Sequence, residues 1–171
     1  MEFINDSIDF QALKAAFLQG EPFNHVVVDE FLKPEVAAEL VAEFPAFESD
    51  MWHEYLNPIE IKRTCNNWNA FPTTTYRLFD FLCSPAFVRQ LQVFSDDPLW
   101  SDPGLHGGGW HTHRRGGKLN THLDYSIHPK LNLERKLNLI IYISPDWNPA
   151  WGGGLGLWES NGEQCGALSK T

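Results

Sequence analysis

The fold is decided by residues 107–158, at whose centre stands Asn120-Thr121-His122-Leu123-Asp124-Tyr125. Side chains of a strand alternate between two faces, so a strand here would place His122 and Asp124 on the same face. A neutral imidazole and a carboxylate on one face supply two ligands of a 2-His-1-carboxylate iron site. The alternative is a surface histidine beside a turn-forming aspartate. We predict that His122 and Asp124 bind a metal, together with a second histidine from elsewhere in the fold.

The segments that flank this motif predict a barrel-like sheet. The segment before it is interrupted by glycines and rich in histidine. The segment after it, residues 136–143, predicts a strand with one apolar face for the core and a second face that carries Asn138 and Tyr142. That second face suits the interior of a barrel with a polar pocket. Gly152-Gly153-Gly154 then lets another strand, which carries Leu155, approach closely.

The earlier part of the chain predicts helices. Four segments combine an apolar face at helical spacing with a polar or proline start: residues 6–18, 34–44, 72–82 and 84–93. A β-branched run at 25–31 predicts a strand, and residues 46–70 predict a long loop with at most one strand. Helices followed by strands indicate a single α+β domain over residues 1–171, in which residues 1–104 are mainly helical support.

Charge and composition exclude some classes of protein. The net charge is −9, yet residues 101–171 hold seven basic and six acidic side chains. The overall negative field disfavours nucleic acid as a partner, whereas a small anion near the locally basic segment is compatible with it. Three cysteines without metal-ligand spacing favour a reducing compartment. Without a signal-peptide pattern or a membrane-spanning apolar run, we expect a cytoplasmic protein that does not bind membranes.

Several motifs together resemble a known family. They occur in the family's order and spacing: His122-Leu123-Asp124, Arg135-Lys136-Leu137-Asn138, Tyr142-Ile143-Ser144-Pro145-Asp146-Trp147 and Gly152-Gly153-Gly154-Leu155-Gly156-Leu157-Trp158. This pattern is similar to that of the Fe(II)/2-oxoglutarate-dependent dioxygenases of the prolyl 4-hydroxylase type. The resemblance implies a double-stranded β-helix, or jelly roll, braced by N-terminal helices, with residues 105–171 as the first part of the jelly-roll core.

The resemblance also implies an activity and a ligand set. The expected reaction hydroxylates an unactivated C–H bond of a prolyl or small-molecule substrate, using Fe(II), 2-oxoglutarate and O₂, with ascorbate as a further candidate cofactor. His122 and Asp124 would bind iron, and Tyr142 would hydrogen-bond the distal carboxylate of 2-oxoglutarate. Further contacts with this co-substrate would come from three residues: Leu155, Asn138 and His113.

Each of these assignments has an ordinary structural alternative. Tyr142 could be a core residue whose hydroxyl forms a hydrogen bond elsewhere in the fold. Leu155 could be an ordinary core residue. His111 and His113 face the same way on an extended segment, and we expect them to line the pocket or to bind backbone groups rather than metal. His106 and His128 are expected to be loop or surface residues.

The sequence departs from the family pattern after Trp158. The family requires a distal histidine and, about nine residues later, an arginine or lysine that pairs with 2-oxoglutarate, yet residues 159–171 contain neither histidine nor arginine. The fold is therefore expected to lack its last strands, which leaves open sheet edges and a tendency to self-associate. Three explanations stay open: a fragment of a longer enzyme, a shortened relative, or strands donated by a partner. A non-catalytic or truncated jelly-roll binding module is the alternative function.

Overall fold

A computed structural model describes residues 2–159 and 163–168 of the chain. Its helices and strands follow in this order: α1 Phe10–Leu18, α2 Pro34–Glu43, β1 His53–Leu56, β2 Glu60–Cys65, α3 Thr73–Cys83, α4 Pro85–Leu91, β3 Trp110–Thr112, β4 Lys118–Leu119, β5 Leu155–Trp158 and β6 Gln164–Leu168. Short 3₁₀ turns lie at Trp68–Ala70, Gln92–Phe94 and Pro149–Trp151. Helices and antiparallel sheet together confirm the α+β class.

The four predicted helices form, and local signals set their ends. Helix α2 begins at Pro34, whose fixed φ and missing N–H suit a first turn. Helix α4 begins after Ser84, whose hydroxyl oxygen accepts the N–H of Phe87 at 3.2 Å. Helix α1 starts later than predicted, because Asp9 rather than Asp6 caps it by accepting two backbone amides.

The principal sheet has β2 at its centre. Strand β1 pairs antiparallel with one edge of β2, and β3 and β4 both pair with the other edge. Arg63 lies opposite Thr112 and Ile61 lies opposite Lys118, so residues 113–117 all stand opposite the single residue Lys62. These five residues therefore leave the ladder as a loop over the sheet edge.

The hairpin of β1 and β2 replaces the loop expected at residues 46–70. Its turn is closed by Asn57, whose side-chain oxygen accepts the amides of Ile59 and Glu60 at 2.9 and 3.0 Å. An asparagine that bonds backbone two and three residues ahead is a strong turn former. The β-branched run at 25–31, predicted as a strand, forms none; beside it, Leu32 makes a single bridge with Ile4.

Helices α2 and α3 cover one face of the sheet. Leu40 and Leu78 are buried there with Cys65 of β2 and Trp110 of β3. The Trp110 ring meets Phe44 edge-on at 5.0 Å. Because strand residues alternate, the residues next to Cys65 and Trp110 in β2 and β3 face the opposite way. The helix-free face of the sheet therefore carries Tyr55, Lys62, Thr64 and His111.

The prediction of a strand at residues 136–143 is wrong. No described residue pairs with this segment in a ladder, and a strand exists only where a neighbour satisfies its amides and carbonyls. Of the face predicted for the core, Ile141 and Ile143 pack against it, whereas Leu139 is 44% exposed, much like Tyr142 at 45% on the other face. Within the described residues, β5 and β6 pair with each other as a separate two-stranded sheet. None of the helices described combines the length and apolarity needed to cross a membrane.

Glu43 joins two helices by capping one from the end of the other. Its carboxylate accepts the backbone amides of Thr74 and Thr75 at 2.9 and 2.7 Å and the Thr75 hydroxyl at 2.9 Å. Burial alone would raise the pKa of Glu43, but these hydrogen bonds outweigh it and lower the pKa below its ordinary 4.5. The amides of a first helical turn have no partners within their own helix, so Glu43 supplies an external cap for α3.

We expect Glu43→Ala to destabilise the protein by about 2 kcal/mol, because it removes charged hydrogen bonds to the buried Thr75. Urea denaturation would measure this, with the exposed Glu35→Ala in the same helix as control. The folded pKa is depressed, so the stabilisation is fully present above the unfolded pKa and is lost as pH falls through the folded one. The difference between wild type and variant should therefore shrink below about pH 4.5; a constant difference down to pH 3 would contradict the role of the carboxylate.

Candidate functional site

The structure brings His122 and Asp124 together without a strand. His122 Nε2 lies 3.3 Å from Asp124 Oδ1, and both side chains are partly exposed. The predicted strand at this position is wrong, since residues 121–126 form bends and irregular backbone. Their i, i+2 spacing still places the two groups on one side of the chain. The two side chains can therefore contact the same ligand at the protein surface.

Hydrogen bonding restricts the form of the His122 ring. Its Nδ1 lies 2.7 Å from the carbonyl oxygen of Asn120, so Nδ1 carries a hydrogen and donates it. In the neutral ring, Nε2 then has only a lone pair, and it faces a carboxylate oxygen. Both atoms are of a kind that can bind a metal ion. A histidine oriented by an Nδ1–H···O=C bond is a common form of metal ligand.

Arg135 holds the other side of Asp124. One guanidinium nitrogen of Arg135 lies 3.2 Å from Asp124 Oδ2, which leaves Oδ1 directed to His122. The guanidinium also lies over the ring of Tyr125, 4.9 Å from its centroid. The backbone amide of Arg135 donates to Ser126 at 2.8 Å. Contacts from both backbone and side chain thus fix Arg135 against the motif.

Behind the motif lies a cluster centred on His128, which lies in a loop, as one of the two predicted alternatives has it, but is buried rather than at the surface. His128 is only 7% exposed. Its Nδ1 accepts the amides of Lys130 and Leu131, and its Nε2 donates to Asp102 at 3.2 Å. Burial alone would raise the pKa of Asp102, but hydrogen bonds from the amides of His106 and Gly104 and from His128 lower it. The cluster ties the segment after Asp124 to the turn before β3.

A cavity of about 450 Å³ opens beside His122. Its lining comes from the hairpin turn and from the strand opposite: Asn57, Pro58, Ile59, Glu60, Leu119 and His122. Asn120 connects these parts, since its amide donates to Ile59 at 2.8 Å while its carbonyl accepts from His122. The cavity is large enough for a small organic molecule or one peptide side chain.

The other predicted site residues belong to different segments of the chain. Tyr142 and Asn138 are exposed, and burial of part of the Tyr142 ring raises its pKa. Leu155 begins β5 and is 36% exposed. His113 lies in the loop opposite Lys62. Across residues 2–159 and 163–168, no hydrogen bond or ion pair joins any of these four to His122 or Asp124.

The described residues also contain no group of three metal-binding side chains, so the third ligand is not among them in this arrangement. Sequence reasoning missed two contributors, Arg135 as the partner of Asp124 and His128 as a buried anchor. In the sequence, Arg135 appears only as part of a motif. The position of His128 in a histidine-rich segment indicates a possible role, but its contact with Asp102, which is distant in the chain, is visible only in the structure.

The structure thus shows an α+β protein in which a histidine and a carboxylate lie side by side at the surface. A sequence model described as the 2OG-Fe(II) oxygenase superfamily matches residues 108–170, which include His122 and Asp124. This match supports a 2OG-Fe(II) oxygenase superfamily member, with the general oxygenase function and the Fe(II), 2-oxoglutarate and O₂ that the superfamily implies. Comparisons with curated proteins and with solved structures gave no match.

Proposed function

We propose that the protein is an Fe(II)- and 2-oxoglutarate-dependent dioxygenase of the prolyl 4-hydroxylase type that hydroxylates a small-molecule or peptidyl substrate. The observation that carries the proposal is the His122–Asp124 pair, in which two acceptor atoms face each other at 3.3 Å. Its position inside the matched segment, residues 108–170, agrees with this assignment. The four-stranded sheet would then be the beginning of a jelly roll whose interior is the helix-free face.

In this proposal, His122 and Asp124 hold the iron, and a further histidine outside the described arrangement completes the ligands. When bound, iron with 2-oxoglutarate and O₂ supplies the oxidising power needed to place a hydroxyl group on a C–H bond. The chain itself orients His122 through Asn120 and Asp124 through Arg135. Tyr142, Leu155, Asn138 and His113 are proposed contacts of 2-oxoglutarate.

The cavity beside His122 is the proposed place for the substrate. Pro58, Ile59 and Leu119 give it an apolar wall, which would bind the carbon skeleton of a substrate. A prolyl ring and the carbon skeleton of a small metabolite could both contact this apolar wall. The cavity thus limits the substrate to a compact group with an apolar surface.

A non-catalytic binding module is the second candidate, favoured by the lack of a third metal-binding side chain among the described residues. The test is succinate release from 2-oxoglutarate by purified protein, with and without Fe(II). We expect release that requires Fe(II) and is lost in His122→Ala and Asp124→Ala but kept in His25→Ala, a control in which a partly exposed histidine outside the motif is removed. Succinate release that is absent, or unchanged in the two ligand variants, would favour the binding module.

A further inference from the structure

A row of exposed cations stands at the edge of the sheet. Residues 103–123 contain no acidic side chain, although the chain as a whole has a net charge of −9. Within them, Arg114 and Arg115 belong to the loop that leaves the ladder between β3 and β4, and Lys118 begins β4. All three residues are exposed. We refer to these three residues as the basic patch.

The charge of the basic patch is not neutralised by a carboxylate within residues 2–159 and 163–168. Other cations there form ion pairs with Asp or Glu side chains: Lys33, Lys62, Arg63, Arg77, Arg135 and Lys136. In the patch, Lys118 instead donates to the carbonyl oxygen of Pro58 at 2.8 Å, and the Arg114 guanidinium lies 5.7 Å from the centre of the Phe47 ring. Both contacts leave a full positive charge. An anionic partner can therefore bind the patch without first breaking an ion pair.

The basic patch borders the cavity that contains His122. The ammonium of Lys118 contacts Pro58, and Pro58 lines that cavity. Leu119, which follows Lys118 in β4, lines it as well. A molecule that fills the cavity and continues past Pro58 and Leu119 therefore meets the positive charge of Lys118.

The two arginines extend the patch along the edge of β2. Strand β3 ends opposite Arg63 and β4 begins opposite Ile61, so the two ends of the loop lie two residues apart in β2, about 7 Å. Arg114 lies over Phe47, whose ring also contacts the guanidinium of Arg63 at 4.1 Å. The patch is thus a row rather than a single point. An extended chain, which advances about 3.3 Å per residue, can follow such a row.

The kind of partner follows from charge and from length. A net charge of −9 repels a long polyanion such as nucleic acid, and it repels an anionic membrane, and the three cations of the patch do not offset it. A peptide with a few carboxylates carries separated negative charges, similar in number to the cations of the patch. The same peptide can place a compact apolar residue in the cavity. An acidic peptide therefore fits both surfaces.

We propose that the basic patch binds acidic residues of a peptidyl substrate whose reacting residue occupies the cavity beside His122. This inference rests on the proposed function and narrows its substrate to an extended acidic peptide. Lys118 attracts a carboxylate close to the reacting residue, and Arg114 and Arg115 attract carboxylates farther along the peptide. At about 3.3 Å per residue, these carboxylates stand about one to four positions from the reacting residue. The patch thereby sets specificity without touching the reacting atoms.

The test is a calorimetric titration of the metal-free full chain with three synthetic peptides. Each peptide holds one proline, and the four positions on either side of it carry glutamate, glutamine or lysine. We expect the glutamate peptide to bind about 10-fold more tightly than the glutamine peptide, because several exposed charge pairs each contribute a modest amount. The preference should shrink as ionic strength rises from about 0.05 M to about 0.5 M, because salt screens exposed charges.

Two double variants locate the preference. Arg114→Gln with Arg115→Gln should reduce it to about twofold, and Arg114→Glu with Arg115→Glu should make the lysine peptide bind more tightly than the glutamate peptide. Lys14→Glu with Arg89→Glu is the matched control. It changes the net charge by the same amount, at exposed cations of α1 and α4. This control should keep the preference for glutamate, and an unchanged affinity for the glutamine peptide shows that each variant is folded.

Three outcomes would overturn the inference: no saturable binding of the glutamate peptide, equal affinities for the glutamate and glutamine peptides, or an equal loss of preference in the control variant. Tighter binding of a single-stranded oligonucleotide than of the glutamate peptide, lost when both arginines are replaced, would overturn the assignment to a peptide. The readout needs neither iron nor turnover. Succinate release without any preference for charge would contradict only this inference, whereas charge-dependent peptide binding without succinate release would support the patch and contradict the proposed function.

Discussion

Replacing Gly109 with alanine is expected to destabilise the protein by about 3 kcal/mol or more, enough to unfold a large fraction of a marginally stable domain. Gly109 has φ +90°, and a Cβ atom built on it would lie 2.1 Å from the carbonyl oxygen of Cys65 and 2.9 Å from Asn66 Cα. Both obstacles are backbone atoms of β2 or its end, so no side chain can move aside. The Cys65–Trp110 pairing would have to open, which removes Trp110 from the core.

Gly116→Ala is the matched control for this effect. Gly116 also has a left-handed backbone, with φ +81°, but a Cβ there would meet no atom within 4 Å. Its substitution should cost only the conformational penalty, about 1 kcal/mol. Urea denaturation of the two variants measures the difference. Similar losses in both would show that backbone conformation, rather than the close approach of β3 to β2, explains the requirement for glycine at position 109.

The helices could be predicted from the sequence because their signals are local. Pro34 and Ser84 mark helix starts through their own backbone and side-chain chemistry, and the apolar spacing of α2 and α3 selects their buried faces. The hairpin of β1 and β2 carries a local signal only in its turn, at Asn57, and none in its strands. His53–Leu56 and Glu60–Cys65 mix charged and apolar residues without clear alternation, and only long-range pairing with β3 and β4 identifies β2 as the central strand.

The site shows the same division between local and distant information. The closeness of His122 and Asp124 follows from a spacing of two residues, and it survives although the expected strand does not form. Arg135 and His128 could not be assigned, because their roles depend on partners brought together by the fold, Asp124 in one case and Asp102 in the other. A run such as residues 136–143 has the composition of a strand, but pairing partners decide whether it becomes one.

Arg135→Gln is expected to weaken binding of a divalent metal by about tenfold or more, the usual effect of losing a group that orients a ligand. Arg135 fixes Asp124 Oδ2 and thereby directs Oδ1 to His122. Its positive charge acts in the opposite sense, because it repels a metal ion. Asp124 is 47% exposed, so water screens this repulsion, and the loss of orientation should dominate. Calorimetric titration with Mn²⁺ or Co²⁺ measures the change, with Asp124→Ala as the reference for full loss.

Two further variants separate orientation from charge. Arg135→Lys keeps the charge but lacks the planar guanidinium that lies over Tyr125, so it should recover only part of the affinity. Arg114→Gln removes an equal charge from a guanidinium that lies 5.7 Å from the Phe47 ring, outside the motif, and should leave metal affinity unchanged. Tighter binding in Arg135→Gln than in wild type would mean that Arg135 competes with the metal for Asp124. A metal ion would then have to break the Arg135–Asp124 ion pair in order to bind, and Arg135 would not orient Asp124 as its ligand.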